Sequence, residues 1–257
     1  MDCQIISVIT VVFNGAATLE HTICSVLEQT YRNVEFIIID GGSTDGTLDI
    51  LREYDDHIDY WVSEKDAGIY DAMNKGIALA SGDIIGFINA DDFYESSNVL
   101  ANVAKVFANK RVDVSYGDLC YVKQFDTMKV VRYWKSSEFY PNSFEIGWCP
   151  PHPTFFVRRE IYERYGMFDL TFKIAADVEL MIRFLEVHRV CAIYIPVVLV
   201  KMRMGGTTNR SLSNILKQNK EILRALKSHG LGSSIVRLIS NKFISRGLQF
   251  FVRPSQV

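Results

Sequence analysis

Residues 5–15, IISVITVVFNG, decide the fold of this 257-residue chain. From Ile5 to Val12 the stretch is rich in β-branched residues, which is typical of a strand buried on both faces. Asn14 and Gly15 then form a turn signal, and the next apolar residues recur at helical spacing. These apolar residues are Leu19, Ile23, Val26 and Leu27. The stretch therefore predicts a strand, a turn and a helix in that order.

The same unit recurs along the first half of the chain. The predicted strands are 34–40, 60–63 and 84–89, and the predicted helices are 47–54 and 69–80. Strands that alternate with helices favour a mostly parallel sheet, so we predict an α/β fold. Ligands bind such sheets outside the carboxyl ends of the strands, and we expect Asn14, Asp40 and the pair Asp91 and Asp92 at one crevice.

The pattern changes from about Val112, where a second half suited to an acceptor begins. Its predicted strands are 114–122, 130–134, 154–157 and 193–200, and its predicted helices are 160–165 and 176–187. Two basic amphipathic helices are predicted after Gly206. We divide the chain into a main domain, 1–206, with two halves, 1–111 and 112–206, and a helical tail, 207–257.

Charge is distributed unevenly along the chain. From Lys201 onward there are eleven Lys and Arg residues against one acid, Glu221, so this segment carries +10 and the first 200 residues carry −12. An anionic membrane or a lipid-linked diphosphate would suit the basic end, whereas no nucleic-acid-binding motif accompanies it. The longest apolar stretch, 190–200, is too short to span a bilayer, and no basic segment precedes the first apolar run. We expect a cytoplasmic protein.

The strongest local signal is residues 84–92, IIGFINADD, an apolar strand that ends in two adjacent carboxylates. Hard divalent cations bind oxygen ligands of this kind. The alternative is that one aspartate caps the next helix. That helix is predicted to begin near Ser96 and Ser97, which supply a cap of their own. We therefore favour a metal site at Asp91 and Asp92.

Asp40 ends another predicted core strand, and glycines in the turn 41–46 let a ligand approach the backbone there. Taken alone, Asp40 is equally consistent with a turn-stabilising role. The turn after the first strand lacks the G-x-G-x-x-G pattern, and the chain lacks a P-loop. These two absences argue against nicotinamide and ATP chemistry.

Four sequence motifs follow one another in a fixed order. They are SVITVVFN at 7–14, IIIDGGSTDGT at 37–47, SEKDAGIYDAMNKG at 63–76 and NADD at 89–92. Together they resemble family 2 glycosyltransferases, over about residues 7–206. The resemblance implies that 1–206 is the catalytic domain, with 1–111 as its nucleotide-sugar half and 112–206 as its acceptor half. The resemblance implies the GT-A fold and an inverting transfer of sugar from a nucleoside-diphosphate sugar, with a UDP-sugar as the first expectation. The implied acceptor is a glycan or lipid-linked hydroxyl, in surface polysaccharide or glycolipid synthesis.

The resemblance also implies roles for individual residues. The residues implied to line the nucleotide pocket are Thr10, Asn14, Asp40, Asp66 and Lys75. Asp40 would meet the base, Asp91 would lie near the ribose and diphosphate, and Asp92 would hold the metal ion. Mn²⁺ and Mg²⁺ both suit oxygen ligands. The family's D-x-D stands here as Asn89-x-Asp91 followed by Asp92, which leaves the ligand assignment open.

An inverting displacement needs a general base to take the proton of the acceptor. The family places this base at the start of a later helix, where residues 174–180, IAADVEL, offer Asp177 and Glu179. Helix geometry, at about 100° per residue, sets Glu179 on a polar face, solvated and paired with Arg183. Asp177 points to a partly buried position, which suits a base. We assign Asp177 as the base, with a helix N-cap as its alternative.

Four further residues are candidate contacts to the acceptor or the diphosphate: Trp148, His152, Arg203 and Arg210. Trp148 would stack on a sugar ring, and His152 lies on a stiff loop between two prolines. The two arginines flank a small-residue segment, 205–208, which would close over a diphosphate. Ordinary packing or a solvated loop is the alternative for each of them.

Other functions stay open from the sequence. A sugar-nucleotide pyrophosphorylase should carry a glycine-rich, arginine-bearing loop after the first strand, which residues 14–17, NGAA, do not supply. A non-catalytic nucleotide-sugar-binding module is disfavoured by the intact carboxylates Asp91, Asp92 and Asp177. In the tail, residues 234–251 predict a basic helix that either lies on an anionic membrane or packs on the catalytic domain or on a second copy of the chain. An oligomer is therefore possible.

Overall fold

The computed structural model describes residues 4–205, 212–232, 247 and 249. Its strands are β1 Ile6–Val12, β2 Val34–Asp40, β3 Tyr60–Ser63, β4 Ile84–Phe87, β5 Asp92–Tyr94, β6 Val114–Val122, β7 Val130–Trp134, β8 Phe156–Arg158 and β9 Ala192–Arg203. Its α-helices are α1 Leu19–Leu27, α2 Thr47–Glu53, α3 Ile69–Leu79, α4 Val99–Phe107, α5 Arg159–Tyr165, α6 Ala176–Ile182 and α7 Leu212–Ser228. A π-helical turn, Arg183–Val187, continues α6.

The strands of the described residues form one nine-stranded sheet in the order β3-β2-β1-β4-β8-β6-β9-β5, and β7 also pairs with β6. Strands β1 to β4 run parallel to one another, as do β6 and β9. Strands β5, β7 and β8 run antiparallel to their neighbours. Six of the nine strands thus share one direction, and the predicted α/β fold with a mostly parallel sheet is confirmed.

Both faces of the sheet are covered by helices, as the apolar sequence of β1 requires. Every residue of β1 is buried. Ile9 and Val11 face the core under α3, α5, α6 and α7, whereas Ile6 and Val8 face the core under α1, α2 and α4. Alternate residues of a strand point to opposite faces, so a run that is apolar at every position belongs in the middle of the sheet.

The acidic loop, residues 89–92, does not cap the helix that follows it, although the reason differs from the prediction. Asp92 belongs to the short strand β5, and α4 begins only at Val99. The predicted cap from Ser96 and Ser97 is wrong, because Asn98 occupies the N-cap position and makes no side-chain cap bond. The Oδ1 atom of Asn98 instead accepts a hydrogen bond of 2.9 Å from the hydroxyl of Thr30.

Helix α7, the first of the two predicted tail helices, packs on the catalytic domain. Its residues Ile222, Ala225 and Leu226 are buried in the same core as α6. The second predicted tail helix, 234–251, lies outside the described residues except for positions 247 and 249. The N–H of Tyr133 in β7 donates to the carbonyl oxygen of Gln249 at 2.9 Å. In the described part of the chain, no helix has the length and apolarity needed to cross a membrane.

The β4–β8 contact depends on a glycine. A Cβ atom added at Gly86 would lie 2.2 Å from Cε1 of Phe156, which is fully buried. We expect Gly86→Ala to lower the free energy of unfolding by about 1–3 kcal/mol, the usual cost of overpacking a core. Urea denaturation measures it. The matched control is Gly232→Ala, where the added Cβ meets no atom within 4 Å; equal losses in the two variants would contradict the argument.

Candidate active site

The loops after β1 and β2 are tied together at the carboxyl end of the sheet. Asn14 has a left-handed φ of 52°. Its N–H donates to Oγ of Ser43 at 2.7 Å, and its Oδ1 accepts from the N–H of Thr44 at 2.9 Å. The predicted pocket residue Asn14 therefore joins the two loops, with its side chain already engaged on the β2 side.

Asp40 is fully buried and holds the turn that follows β2. Its Oδ2 accepts hydrogen bonds from the N–H groups of Gly42 and Ser43, at 3.1 and 2.9 Å, and from the hydroxyl of Ser63 at 2.6 Å. The Ser43 hydroxyl donates to Oδ1. The structure thus gives Asp40 a turn-stabilising role, and its contact with a nucleotide base stays a prediction.

Thr10, another residue assigned to the nucleotide pocket, lies inside the sheet. It is completely buried in β1, and its Oγ1 has no hydrogen-bond partner in the described structure. Because the hydroxyl has no exposed surface, any part it plays in nucleotide binding must be exerted through the backbone of β1.

Asp66 and Lys75 border the same turn from the β3 side. Oδ1 of Asp66 accepts from the N–H of Gly68 at 2.9 Å, and its Oδ2 lies 2.5 Å from where a Cβ at Gly41 would stand. Nζ of Lys75 forms an ion pair with Glu64 at 2.7 Å. The hydrogen bond to Glu64 raises the pKa of Lys75, so its ammonium is charged at neutral pH. The structure therefore brings Asp40, Asp66 and a cation to one corner.

The acidic loop after β4 presents its two carboxylates differently. Asp92 is fully buried; its Oδ2 accepts from Nδ2 of Asn89 at 3.0 Å, and its Oδ1 has no hydrogen-bond partner in the described structure. Burial, reinforced by the charge of Asp91, raises the pKa of Asp92 well above its usual range. Asp91 is partly exposed. Of the pair, Asp91 is the more exposed residue.

Arg203, at the end of β9, forms a hydrogen bond from its side chain to the backbone of the acidic loop. Its Nη1 donates to the carbonyl oxygen of Asp91 at 2.8 Å, and its Nη2 lies 2.8 Å from Nδ1 of His21. The guanidinium also lies 5.0 Å from the ring centroid of Phe93. These contacts occupy the guanidinium, so its predicted approach to a diphosphate would require a rearrangement. Arg210, the other predicted arginine, lies outside the described residues.

Asp177 is the one residue of the seven-residue helix α6 that is not buried. The N-cap alternative for Asp177 is wrong, because Ala175 occupies the N-cap position. The hydroxyl oxygen of Tyr70 lies 3.0 Å from Oδ1 of Asp177 and 3.0 Å from the carbonyl oxygen of Ile174. A hydroxyl can donate its proton to one oxygen and accept a proton from another. Tyr70 can therefore donate a hydrogen bond to Asp177 when Asp177 is ionised. When Asp177 is protonated, Tyr70 can accept a hydrogen bond from it and donate to Ile174 instead.

His152 lies in the same region as Asp177. Its ring stacks on Phe87, the last residue of β4, with 5.7 Å between ring centroids, and meets Phe168 edge-on at 5.7 Å. Burial lowers the pKa of His152, and the charge of Asp177 opposes that effect. The structure thus brings two predicted residues, His152 and Asp177, to the carboxyl end of β4, where the acidic loop begins.

Trp148 lies four residues before His152 in the same loop, and it packs in an aromatic cluster. Its ring meets Phe144 edge-on, with centroids 5.3 Å apart, and Tyr116 at 5.9 Å. Its Nε1 donates to Oγ of Ser137 at 2.9 Å. Trp148 is only partly buried, and its stacking on a sugar ring stays a prediction.

Glu179 is not solvated, contrary to the prediction from the helix pattern. Its carboxylate pairs with Arg183 at 3.0 Å, as predicted, and also lies 2.8 Å from Nε2 of His229. Glu179 is only 4% exposed because α7 covers this side of α6. The prediction for Glu179 considered α6 alone, and α7 begins 33 positions farther along the chain. Because α7 packs on the polar face of α6, that face is an interface rather than a solvent-exposed surface.

Sequence reasoning missed the partners of Asp177. Tyr70 lies inside the motif 63–76, but no pattern pairs it with a residue 107 positions away.

In the described residues, no group of three or more His, Cys, Asp or Glu side chains is arranged to hold a metal ion.

A model of the family described as glycosyl transferase family 2 matches residues 7–167. The chain belongs to glycosyl transferase family 2. The matched region contains β1, β2, α3 and the acidic loop, and it ends before Asp177. A transferase is thereby favoured over a pyrophosphorylase.

Two mycobacterial glycosyltransferases are similar to this family 2 chain in sequence. An uncharacterized glycosyltransferase of Mycobacterium tuberculosis is 36% identical over 183 residues, which cover 69% of this chain and 68% of that protein. A PGL/p-HBAD biosynthesis glycosyltransferase of Mycobacterium bovis is 29% identical over 257 residues, which cover 96% of this chain and 95% of that protein.

Two solved structures share the fold of this family 2 chain. S. aureus TarS 1–349 in complex with UDP-GlcNAc has a TM-score of 0.68 and 14% identity, covering 93% of this chain and 73% of TarS. Mannosyltransferase PcManGT from Pyrobaculum calidifontis, with GDP-Man and Mn²⁺, has a TM-score of 0.66 and 19% identity, covering 94% and 70%. The fold is the predicted GT-A fold.

The burial of Asp92 predicts how stability depends on pH. Its pKa is raised from 3.8 in the folded protein, so the folded state binds the proton more tightly and loses stability as pH rises above about 4. We expect Asp92→Asn, which does not titrate, to melt above the wild type at pH 7.5 in chelator, by about 2–4 °C per kcal/mol gained. The difference should shrink toward pH 4.

The matched control for this measurement is Asp49→Asn, whose carboxylate is exposed on α2. Its melting temperature should follow that of the wild type at both pH values. A lower melting temperature for Asp92→Asn than for the wild type at pH 7.5 would show that the buried carboxylate is ionised and compensated.

Proposed function

We propose that this protein transfers a sugar, with inversion, from a nucleoside-diphosphate sugar to a hydroxyl of a glycan or lipid-linked acceptor. The observation that carries the proposal is the position of Asp177, a partly buried carboxylate whose partner Tyr70 packs on Phe168, and Phe168 in turn meets Phe87 at the end of β4, two residues before the acidic loop 89–92. Family membership supports the reaction class. TarS, a structural neighbour, binds UDP-GlcNAc and PcManGT binds GDP-Man, so a uridine donor is the first choice and a guanosine donor the second.

In the proposed reaction, Asp177 accepts the proton of the acceptor hydroxyl. The acceptor oxygen forms its bond to the anomeric carbon as the bond to the diphosphate breaks on the opposite face, and the nucleoside diphosphate leaves with the bonding electrons. Tyr70 lies 3.0 Å from Oδ1 of Asp177 and orients that carboxylate. General-base catalysis of this kind requires the base within hydrogen-bond reach of the proton that it takes.

Residues of the acidic loop fit a divalent metal ion that is shared with the donor. Asp91 is partly exposed, and Oδ1 of Asp92 is a buried oxygen without a hydrogen-bond partner in the described structure. We assign the metal contact to Asp91, with Asp92 behind it. Mn²⁺ or Mg²⁺ held there would neutralise the charge that develops on the leaving diphosphate. Arg203 keeps the backbone of Asp91 in place.

A lipid-linked acceptor at an anionic membrane would suit the basic C-terminal segment. From Lys201 onward the segment carries +10, and each Lys or Arg near an anionic bilayer adds about 1 kcal/mol of attraction. A relative that is similar over nearly its whole length is named for PGL/p-HBAD biosynthesis. We therefore place the protein at the cytoplasmic face of a membrane, in surface polysaccharide or glycolipid synthesis.

The proposal is tested by transfer from a panel of UDP- and GDP-sugars to lipid-linked and free glycan acceptors. We expect Mn²⁺-stimulated release of nucleoside diphosphate that depends on the acceptor. NMR of the new glycosidic linkage should show the anomeric configuration opposite to that of the donor. Retained configuration, or tight donor binding without transfer to any acceptor, would contradict the mechanism.

Asp177→Asn should lower kcat by about 100-fold or more, the scale of general-base loss, and leave the Kd of the nucleotide unchanged. The matched control is Glu179→Gln on the same helix, because Glu179 pairs with Arg183 and His229 rather than facing the site. This control should lower the melting temperature and change kcat by only a few-fold. The reverse order of damage would move the base to Glu179.

Asp91→Asn should remove the effect of metal on nucleotide affinity. In the wild type we expect Mn²⁺ to tighten UDP binding, measured by calorimetry with the ion and with chelator, because the ion links the carboxylate to the diphosphate. The variant should bind UDP with the same Kd in both conditions. Asp49→Asn, an exposed aspartate on α2, serves as control and should keep the wild-type response. An unchanged response in Asp91→Asn would exclude this metal contact.

A further inference from the structure

Glu221 is the single acid in the basic segment that begins at Lys201, and its carboxylate is used for backbone contacts. Oε1 accepts a hydrogen bond from the N–H of Lys173 at 3.0 Å. Oε2 accepts from the N–H groups of Ile174 and Ala175, both at 2.9 Å. Three consecutive N–H groups thus converge on one carboxylate that is more than 45 positions away in sequence.

These three N–H groups stand immediately before the helix that carries Asp177. Ala175 is the N-cap residue of α6, and its methyl side chain cannot accept the hydrogen bonds that a helix start requires. Glu221, from α7, accepts instead from the N–H of Ala175 itself and of the two residues before it, and its negative charge is favourable near the positive end of the helix dipole. The segment that leads into α6 is therefore held by a different helix.

The backbone of Ile174 is held on both sides. Its N–H donates to Glu221, and its carbonyl oxygen lies 3.0 Å from the Tyr70 hydroxyl. The same hydroxyl lies 3.0 Å from Oδ1 of Asp177. Glu221 is thus linked to Asp177 through the backbone of Ile174 and the hydroxyl of Tyr70, and a shift of residues 173–175 would change the contact between Tyr70 and Asp177.

Helix α7 is docked firmly enough to act as a fixed support. Ile222, next to Glu221, is buried on the catalytic domain. One turn farther on, Nη2 of Arg224 donates to the carbonyl oxygen of Thr171 at 2.9 Å, and its guanidinium lies 3.8 Å from the ring centroid of Phe172. The carboxylate of Glu221 therefore has little freedom to leave residues 173–175.

We propose that Glu221 is a positioning residue for the transfer reaction, which sets the place of Asp177 through residues 173–175 and Tyr70. The inference rests on the proposed function of Asp177 as general base. It gives the C-terminal helix α7, which lies beyond the family match at 7–167, a direct part in catalysis. Glu221 itself does not touch the donor or the acceptor.

The test uses the full chain with Glu221→Gln, which keeps the shape of the side chain but replaces one accepting oxygen by an amino group that faces backbone N–H. A displacement of a catalytic group by about 1 Å can cost on the order of 100-fold in rate. We expect kcat to fall by about 10- to 100-fold with the KM for the donor and the Kd for UDP unchanged. Hydrogen exchange of the amides 173–175 should become faster.

Glu145→Gln is the matched control. Oε1 of Glu145 accepts from the N–H of Gly232, four residues beyond the end of α7, so this variant makes the same chemical change at a backbone contact that does not involve residues 173–175. It should leave kcat and the exchange of amides 173–175 at wild-type values. Glu221→Asp is the second variant, for the case that Glu221→Gln does not fold, and its shorter side chain should give a smaller loss of kcat than Glu221→Gln or Glu221→Ala.

A double variant separates positioning from a general loss of structure. If Glu221 acts through Asp177, Glu221→Gln should cause no further loss of kcat in the Asp177→Asn background. Equal losses in both backgrounds, a parallel loss of UDP affinity, or an unchanged kcat in Glu221→Gln would overturn the proposal. Failure of the proposed function would be seen separately, as absence of transfer by the wild type or full activity of Asp177→Asn.

Discussion

The site depends on the parallel pairing of β1 with β2 and β4. This pairing sets Val12 beside Asp40 and Ile9 beside Phe87, so that the three strands end at one edge of the sheet. The loops that follow them can then meet: Asn14 bonds to the β2 turn, and the acidic loop starts two residues after Phe87. In an antiparallel arrangement these strand ends would be divided between two edges, and no common crevice would form.

The carboxylates at this edge have different tasks because their surroundings differ. Asp40 accepts four hydrogen bonds and organises a turn. Asp92 is buried with one oxygen unpartnered in the described structure, whereas Asp91 is partly exposed. Burying a carboxylate without partners is costly, and proteins keep such groups where function requires them. This contrast is the reason for assigning the metal contact to Asp91 and a supporting place to Asp92.

Local patterns were sufficient to predict the element order and the α/β fold, because buried strands and amphipathic helices have distinct periods. Side-chain partners were less accessible. Glu179 was predicted to be solvated, since a helix projection cannot include α7, and the cap of α4 was assigned to serines because the contact between Thr30 and Asn98 spans 68 positions. Tyr70 stood inside a quoted motif, yet its role depends on Asp177, which the motif does not contain.

The family match covers residues 7–167 and ends before α6, so Asp177 and its supports on α7 lie outside it. The support for Asp177 comes from two directions, from Tyr70 on α3 and from Glu221 on α7. In the proposed mechanism both contacts act on one carboxylate, so a change on either α3 or α7 would alter the surroundings of the proposed base. The position of Asp177 is then a property of the packed helices rather than of α6 alone.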